Sequence, residues 1–196
     1  MDTQLGAVCA ALDFIEVHLR KEITVAEIAA SAGYSLYHFI RIFNQNVQHS
    51  PYDYLMRRRL TEAARELSAT TRRVLDVGVE FSFNNHETFS RAFRRMFDVA
   101  PAAWRNGENG NRPLALPRLS LQYLLHINHE DFSRPALSQI NGVSHVRFVH
   151  GGDQSDLPLT VSYINHTWLP QASVRLAHFS HEADFVDGVA LIPIKV

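Results

Sequence analysis

The apolar positions in the first hundred residues recur with the spacing of amphipathic helices. Near the start of the chain they lie three and four residues apart, which predicts one helix with a single buried stripe, formed by Leu5, Val8, Leu12, Ile15 and Leu19. Two helix starts follow: Thr24 and Glu27 have the spacing of a capping box, and Ser50 precedes a proline at a first helical position. Together with further cap signals, these predict helices at 25–31, 36–46, 51–68, 72–81, 86–97 and 101–105.

A pattern of aromatic residues and arginine occurs twice in this helical region, about fifty residues apart. The matched pairs are Tyr34 and Phe83, Phe39 and Phe89, Arg41 and Arg91, and Phe43 and Phe93. Each copy follows a short helix and a turn, an arrangement typical of the second helix of a helix-turn-helix. The helix predicted over 51–68 separates the copies by roughly 27 Å at about 1.5 Å per residue, close to the ~34–36 Å turn of B-DNA. The spacing therefore favours two helices that enter successive major grooves.

The exposed residues in the early turns of these two helices are the candidate DNA contacts. For one such helix alone, an ordinary solvated surface would explain them equally well, but the repeat favours recognition of base edges. The candidate base contacts are Tyr37, Arg41, His86, Glu87, Thr88 and Arg91. The candidate phosphate contacts are Ser35, Arg57, Arg58, Arg94 and Arg95.

Charge is distributed unevenly along the chain. The formal net charge of −1 would argue against nucleic acid if it were evenly spread. Between Arg41 and Arg105, however, eleven arginines face seven acidic residues, whereas five basic and seven acidic residues follow position 113. Arginine is the basic side chain suited to phosphate and to guanine edges. The sequence contains no apolar run long enough to span a membrane, and its first residues lack the basic start of a signal peptide, so we expect a cytoplasmic protein.

Residues 7–105 resemble the DNA-binding domain of the AraC/XylS family of bacterial transcription regulators. The resemblance is carried by the nine-residue pattern that begins at Phe89 and reads FSRAFRRMF, and by Pro101 and Trp104 after it. It implies a homeodomain-like, all-α double helix-turn-helix domain of about seven helices in residues 1–106. The implied function is sequence-specific binding of double-stranded DNA, with activation through RNA polymerase expected and with no cofactor. Ser82 stands where the family has glycine and Gly78 where it has alanine, which predicts a less rigid second unit.

A linker is predicted at 107–117, which is rich in Gly, Asn and Pro, and the pattern changes beyond it. Alternating apolar residues predict strands at 119–127, 143–149, 174–179 and 189–194, with a helix at 157–169. The tail resembles the second half of a GyrI-like effector-binding domain, which implies a small α+β domain in 118–196 and a multidomain protein. The aromatic residues proposed for an effector pocket are Tyr163, Trp168, Phe179 and Phe185. Val186 occupies the position of that family's glutamate, so a cationic effector is not expected.

Several alternatives remain open for the C-terminal region. Because only one of the two repeats of a GyrI-like domain is present, we expect either a homodimer through this region or completion of its sheet by residues 119–127. The histidines after position 113 are interpreted as surface residues rather than metal ligands, since strand residues three apart point to opposite faces. No paired catalytic motif occurs, so an enzyme is not expected. The alternative function is a protein that sequesters a small molecule, or a minor hydrolase, whose helical domain has lost specific DNA binding.

Overall fold

A computed structural model of the chain describes residues 3–107, 115–129, 136–140, 143–150, 154–172, 175–176, 184–186 and 189–195. The chain divides into two compact units, Met1–Ser120 and Leu121–Val196. The regular structure described in the first unit is helical, whereas the second unit contains helices and an antiparallel sheet. None of the helices in these ranges is both long enough and apolar enough to cross a bilayer.

The described residues of the first unit form seven helices: α1 Thr3–Val17, α2 Val25–Ser31, α3 Leu36–Val47, α4 Pro51–Ala69, α5 Val74–Glu80, α6 His86–Phe97 and α7 Pro101–Arg105. The capping box of α2 is confirmed, because the Glu27 N–H donates to Thr24 Oγ1 and the Glu27 carboxylate accepts from the Thr24 N–H. The start of α4 is also confirmed, with Ser50 accepting from the Asp53 N–H. The start predicted for α5 was too early, because Thr70 instead caps the end of α4.

The sequence repeat is also a repeat of backbone structure. Helices α2 and α3 form one helix-turn-helix, and α5 and α6 form the second, with α4 between them. Both α3 and α6 end at a residue of left-handed conformation, Gln48 with φ 59° and Asp98 with φ 61°. A helix with proline at its first position then begins after each, at Pro51 and Pro101. The two copies therefore follow the same path, apart from one extra residue before α6.

The turn inside each helix-turn-helix is closed in the same way, but its second copy is strained. The backbone N–H of Tyr34 donates to Ala29 O at 3.1 Å, and that of Phe83 donates to Gly78 O at 3.0 Å. The turn residue has a positive φ in both copies, 75° at Gly33 and 63° at Ser82. Glycine adopts this conformation freely, whereas a residue with a side chain costs roughly 1–2 kcal/mol there. This strain gives a physical reason to expect the second helix-turn-helix to be less stable than the first.

Replacing Ser82 by glycine is expected to raise the free energy of unfolding by about 0.5–1 kcal/mol, because the relief of strain exceeds the extra unfolded-state entropy of glycine. Denaturant unfolding of the full-length protein measures the change. Ser82→Ala is the matched control, since it removes the hydroxyl, retains Cβ and should not stabilise. A Ser82→Gly variant no more stable than Ser82→Ala would show that the turn is not strained.

Helix α4 contributes to the core of both helix-turn-helix units. Its Tyr54 ring packs edge-on against Phe43 of α3 at 6.1 Å. Its second half enters a core whose described residues all lie between the start of α4 and the end of α7, with partly buried Ala115 packed against it. Within that core, the Trp104 ring lies tilted against Phe97 with 4.7 Å between ring centroids, and it donates its indole N–H to Ala64 O at 3.0 Å. The one helix therefore fixes both units to a common axis.

Gly78 allows α5 and α6 to approach closely. A Cβ placed on Gly78 would lie 2.9 Å from two side-chain carbons of Phe89. Alanine, which the family resemblance predicts at this position, would require the Phe89 ring to move in a fully buried site. The glycine is therefore explained by packing in this chain, although it lowers the helix propensity of α5.

A short segment after the seven helices packs onto the first unit. Leu116 is fully buried, and its carbonyl accepts from Arg58 Nη1 at 2.7 Å. The Leu119 N–H donates to the Tyr54 hydroxyl at 3.4 Å, and Arg118 pairs with Asp13 at 2.5 Å. The first unit thus extends to Ser120. Within the predicted linker, 107–117, residues 108–114 lie outside the described part of the chain.

The second unit consists of α8 Leu121–His129, β1 Ala136–Ile140, β2 Val143–Val149, a 3₁₀ turn Gln154–Asp156, α9 Leu157–Tyr163, a π-helical segment Ile164–Trp168, α10 Leu169–Gln171, β3 Arg175–Leu176, β4 Asp184–Val186 and β5 Val189–Lys195. The strand order is β1-β2-β5-β3, with β4 also paired to β5, and the pairings are antiparallel. The small α+β architecture expected for this region is consistent with these elements.

The strand predicted at 119–127 is wrong, because these residues lead into and largely form helix α8. Tyr123, Leu124 and Ile127 are among its buried positions, and the Tyr123 hydroxyl shares a hydrogen bond of 3.1 Å with Thr167. Burial raises the pKa of Tyr123 to about 12. The sheet is extended by β1, which pairs with β2, so residues 119–127 do not complete it.

The interpretation of the C-terminal histidines as surface residues is wrong for two of them. His126 and His150 are buried, and each has a ring nitrogen 2.8 Å from the hydroxyl of the fully buried Thr160. One hydroxyl can donate to one ring and accept from the other. These histidines therefore belong to the polar interior of the second unit.

Candidate nucleic-acid interface

Helix α3 presents a polar edge opposite a buried apolar face. Phe39, Ile42 and Phe43 are fully buried, which fixes the directions of the side chains on the opposite side. Tyr37 is 86% exposed, and Arg41 lies one turn further on and is also exposed. The structure therefore brings the two predicted residues of the first helix to one accessible edge.

A further residue on α3, His38, was missed in the sequence. Its Nε2 lies 3.5 Å from Arg41 Nη2, and its ring meets the edge of Tyr34 at 5.0 Å between centroids. His38 therefore lies beside the Arg41 guanidinium on the same edge of α3. The spacing of three residues to Arg41 on an exposed helix was the signal that could have identified it.

The N-terminus of α3 is suited to an anion. Ser35 occupies the N-cap position, and its side chain makes no cap hydrogen bond. Ser35, Leu36 and Tyr37 are exposed. A hydroxyl beside the first N–H groups of a helix is a favourable environment for a phosphate oxygen.

Helix α6 presents the corresponding edge of the second helix-turn-helix. The exposed residues there are His86, Glu87, Thr88 and Arg91. Asn85 caps the helix by accepting from the Thr88 N–H at 2.8 Å. Arg91 Nη2 donates to Glu87 Oε1 at 2.6 Å, with side chains 75% and 80% exposed. Because an exposed ion pair contributes little to stability, Arg91 can leave Glu87 for a base edge at small cost.

Three arginines that were proposed as phosphate contacts remain accessible to differing degrees. Arg94 and Arg95 are exposed in the last turn of α6. The side chain of Arg57 is only 15% exposed, and its Nε lies 3.3 Å from Asp53 Oδ2. Burial lowers the pKa of Arg57, Asp53 opposes this effect, and the nearby charge of Arg95 lowers the pKa further. A phosphate bound between Arg57 and Arg95 would relieve the repulsion between the two guanidinium groups.

The prediction that Arg58 contacts phosphate is wrong, because its side chain is buried, with 3% exposed. It donates to both oxygens of Glu16 at 2.8 Å, to Glu62 at 2.7 Å and to the Leu116 carbonyl. Burial opposes the charged form, but the bonds to Glu16 and Glu62 outweigh it and raise the pKa of Arg58. Arg58 is therefore a structural ion that joins α1, α4 and the segment 115–120.

The predicted effector residues can be placed only in part. Tyr163 is buried at the end of α9, and Trp168 meets Phe148 of β2 edge-on at 5.0 Å. Phe179 lies outside the described residues, as does the side chain of Phe185. Of the two described residues, partly buried Trp168 contacts the sheet, and the role of both toward a ligand stays a prediction.

Comparison with known proteins identifies the domain type. A family model described as a helix-turn-helix domain matches residues 19–107. The transcriptional regulator Rob of Salmonella typhimurium is 35% identical over 102 residues, which span 52% of this chain and 35% of Rob. The transcriptional activator AarP of Providencia stuartii is 29% identical over 113 residues, which span 58% of this chain and 84% of AarP. The chain thus matches about a third of the length of Rob but most of AarP.

A solved structure shares the same fold. It is a transcriptional regulator of the AraC-type DNA-binding domain-containing proteins, from Chromobacterium violaceum, with a TM-score of 0.50 and 24% identity. The superposition covers 52% of this chain and 90% of that protein. With the repeated backbone and the two exposed edges, these similarities show that residues 19–107 form a helical helix-turn-helix domain with the fold of that solved structure.

Proposed function

We propose that the protein is a sequence-specific regulator of transcription that binds double-stranded DNA through α3 and α6. The observation that carries this proposal is the structural repeat, in which Arg41 and Arg91 occupy matched exposed positions behind matched buried aromatic residues. A single helix with an exposed arginine would carry little information. Two copies joined by one helix would present two reading edges to a duplex, each with its own exposed arginine.

The dimensions of α4 support this function. It has 19 residues, which corresponds to roughly 28 Å at about 1.5 Å per residue. That length suits two reading helices in successive major grooves on one face of the duplex, about one helical turn, or ~34–36 Å, apart. Tyr37 and Arg41 would contact one half of the site, and His86, Glu87, Thr88 and Arg91 would contact the other.

Backbone contacts would set the position of the protein on the duplex. Ser35 at the start of α3, together with Arg57, Arg94 and Arg95, is proposed to bind phosphates. Such contacts supply affinity but carry no sequence information. They also release counterions, so binding should weaken steeply as salt concentration rises.

The regulatory outcome is proposed from the relatives. AarP is described as a transcriptional activator, which favours activation, with RNA polymerase as the partner. The second unit is proposed to respond to a small molecule near Tyr163 and Trp168 and to pair with a second copy of the chain. Light scattering during size-exclusion chromatography would exclude the dimer if the protein elutes as a strict monomer.

Selection of bound sequences from a random duplex pool with the full-length protein tests the proposed function. We expect two enriched elements whose centres lie about 10–10.5 base pairs apart, and affinity for the selected site that falls strongly with salt. Enrichment of no sequence, or of a single element, would contradict recognition by two helices. The random pool itself serves as the non-specific control.

A further inference from the structure

Four charged side chains form a closed ring on the first unit. Glu66 Oε2 accepts from Arg20 at 3.0 Å, and Glu80 Oε1 lies 2.8 Å from the other terminal nitrogen of Arg20. The remaining oxygen of each carboxylate accepts from Nη1 of Arg72. Each carboxylate therefore bridges two arginines, and each arginine bridges two carboxylates. A cyclic arrangement of this kind fixes more geometry than separate ion pairs would.

The members of the ring come from different parts of the domain. Arg20 lies between α1 and α2, just before the first helix-turn-helix. Glu66 lies on α4, Arg72 lies in the loop after α4, and Glu80 lies on α5 of the second helix-turn-helix. The guanidinium of Arg20 also lies over the ring of Phe81, 5.2 Å from its centroid. The ring therefore connects the segment that leads into the first helix-turn-helix directly to α5 of the second helix-turn-helix.

This connection matters because the core formed between α4 and α7 contains no residue of α1, α2 or α3. Apart from α4, which both helix-turn-helix units share, apolar packing in that core does not hold the first helix-turn-helix against the second. The two carboxylates are only 13% and 24% exposed, although Arg20 is 60% exposed. Their partial burial reduces screening by salt, so the ring can act as a fixed brace at the junction.

We propose that Arg20, through Glu66, Arg72 and Glu80, is a positioning residue that fixes the angle between the two reading helices and thereby the spacing of the two DNA elements that the protein accepts. This inference rests on the proposed function. Arg20 itself is not proposed to contact DNA. Loss of the Arg20 side chain is expected to widen the range of accepted spacings, because the two helix-turn-helix units could then turn about α4.

The spacing preference is measured with the full-length protein on the selected site and on versions lengthened or shortened by one base pair between its elements. In Arg20→Ala the ratio of affinities for the native and altered spacings should fall by about three- to tenfold, the size expected for two partly exposed ion pairs. Glu80→Gln, which changes the net charge in the opposite direction, should lower the same ratio. Arg65→Ala removes an exposed arginine of α4 that pairs with Glu62 and should leave the ratio unchanged.

A second measurement does not depend on DNA. In a Cys9→Ser background, spin labels at Gln45→Cys in α3 and Ala102→Cys in α7 report the distance between the two helix-turn-helix units. Both sites are exposed. We expect a narrow distance distribution that broadens in Arg20→Ala and Glu80→Gln but not in Arg65→Ala. Unchanged distributions would overturn the inference, as would broadening without any change in spacing preference. Failure of the unaltered protein to select a DNA sequence would reject the proposed function, while the distance measurement would still test the brace.

Discussion

Replacing Arg41 and Arg91 together by alanine is expected to remove most of the discrimination between the selected site and random duplex. Each arginine, if it makes a bidentate contact with a guanine, contributes roughly 1–3 kcal/mol of specificity. Under the proposed function the two would contact separate grooves, so their effects should add. The double variant should therefore lose roughly 2–6 kcal/mol of specific binding, measured by competition between the selected and random duplexes.

The single variants test whether both units read sequence. Arg41→Ala should relax the preference at one element, and Arg91→Ala should relax it at the other. Arg65→Ala is the control, because it removes one exposed arginine from α4. Equal loss on selected and random duplexes would show that Arg41 and Arg91 contact phosphate alone. Both replaced side chains are exposed, so the helical circular dichroism signal should not change.

Arg58→Ala is expected to lower the free energy of unfolding by about 3–5 kcal/mol, since it leaves the largely buried carboxylate of Glu16 without its cation. It also removes the donor to the buried Leu116 carbonyl. The side chains of Arg58 and Glu16 are 3% and 10% exposed, so water can replace little of the lost interaction. Denaturant unfolding measures the loss, which is large for a domain of this size.

Two controls separate the buried ion pair from a general loss of charge. Arg65→Ala lies seven residues further along α4 at an exposed position and should change stability by no more than about 0.5 kcal/mol. The double variant Arg58→Met with Glu16→Gln should be more stable than Arg58→Ala, because no buried charge is left unpaired. A loss below 1 kcal/mol in Arg58→Ala would show that the pair is not structurally important.

The helical fold of the first unit could be predicted because its signals are local. Thr24 with Glu27, Ser50 with Pro51, and Asn85 each mark a helix start through contacts within one turn. Residues 119–127 gave the wrong prediction, since apolar residues occur there at alternate positions and also at helical spacing. Packing of α8 against α9, which is not local, decides between the two patterns.

The candidate interface could be predicted only where exposure follows from helical position. Tyr37, Arg41 and Arg91 lie opposite buried aromatic residues, and the sequence alone places them at the surface. Arg58 could not be distinguished from its neighbour Arg57 by residue type. It lies four residues after Tyr54 on the buried stripe of α4, so its burial depends on a carboxylate from α1 that is distant in sequence.

The docking of residues 115–120 bears on how the DNA-binding part can be isolated. A fragment that ends after α7 would lose the Leu116 carbonyl that Arg58 contacts and would expose the apolar site that Leu116 fills. A fragment that continues through Ser120 retains both. We therefore expect limited proteolysis to spare the bonds between residues 115 and 120, and the minimal autonomous fragment to end beyond Leu119.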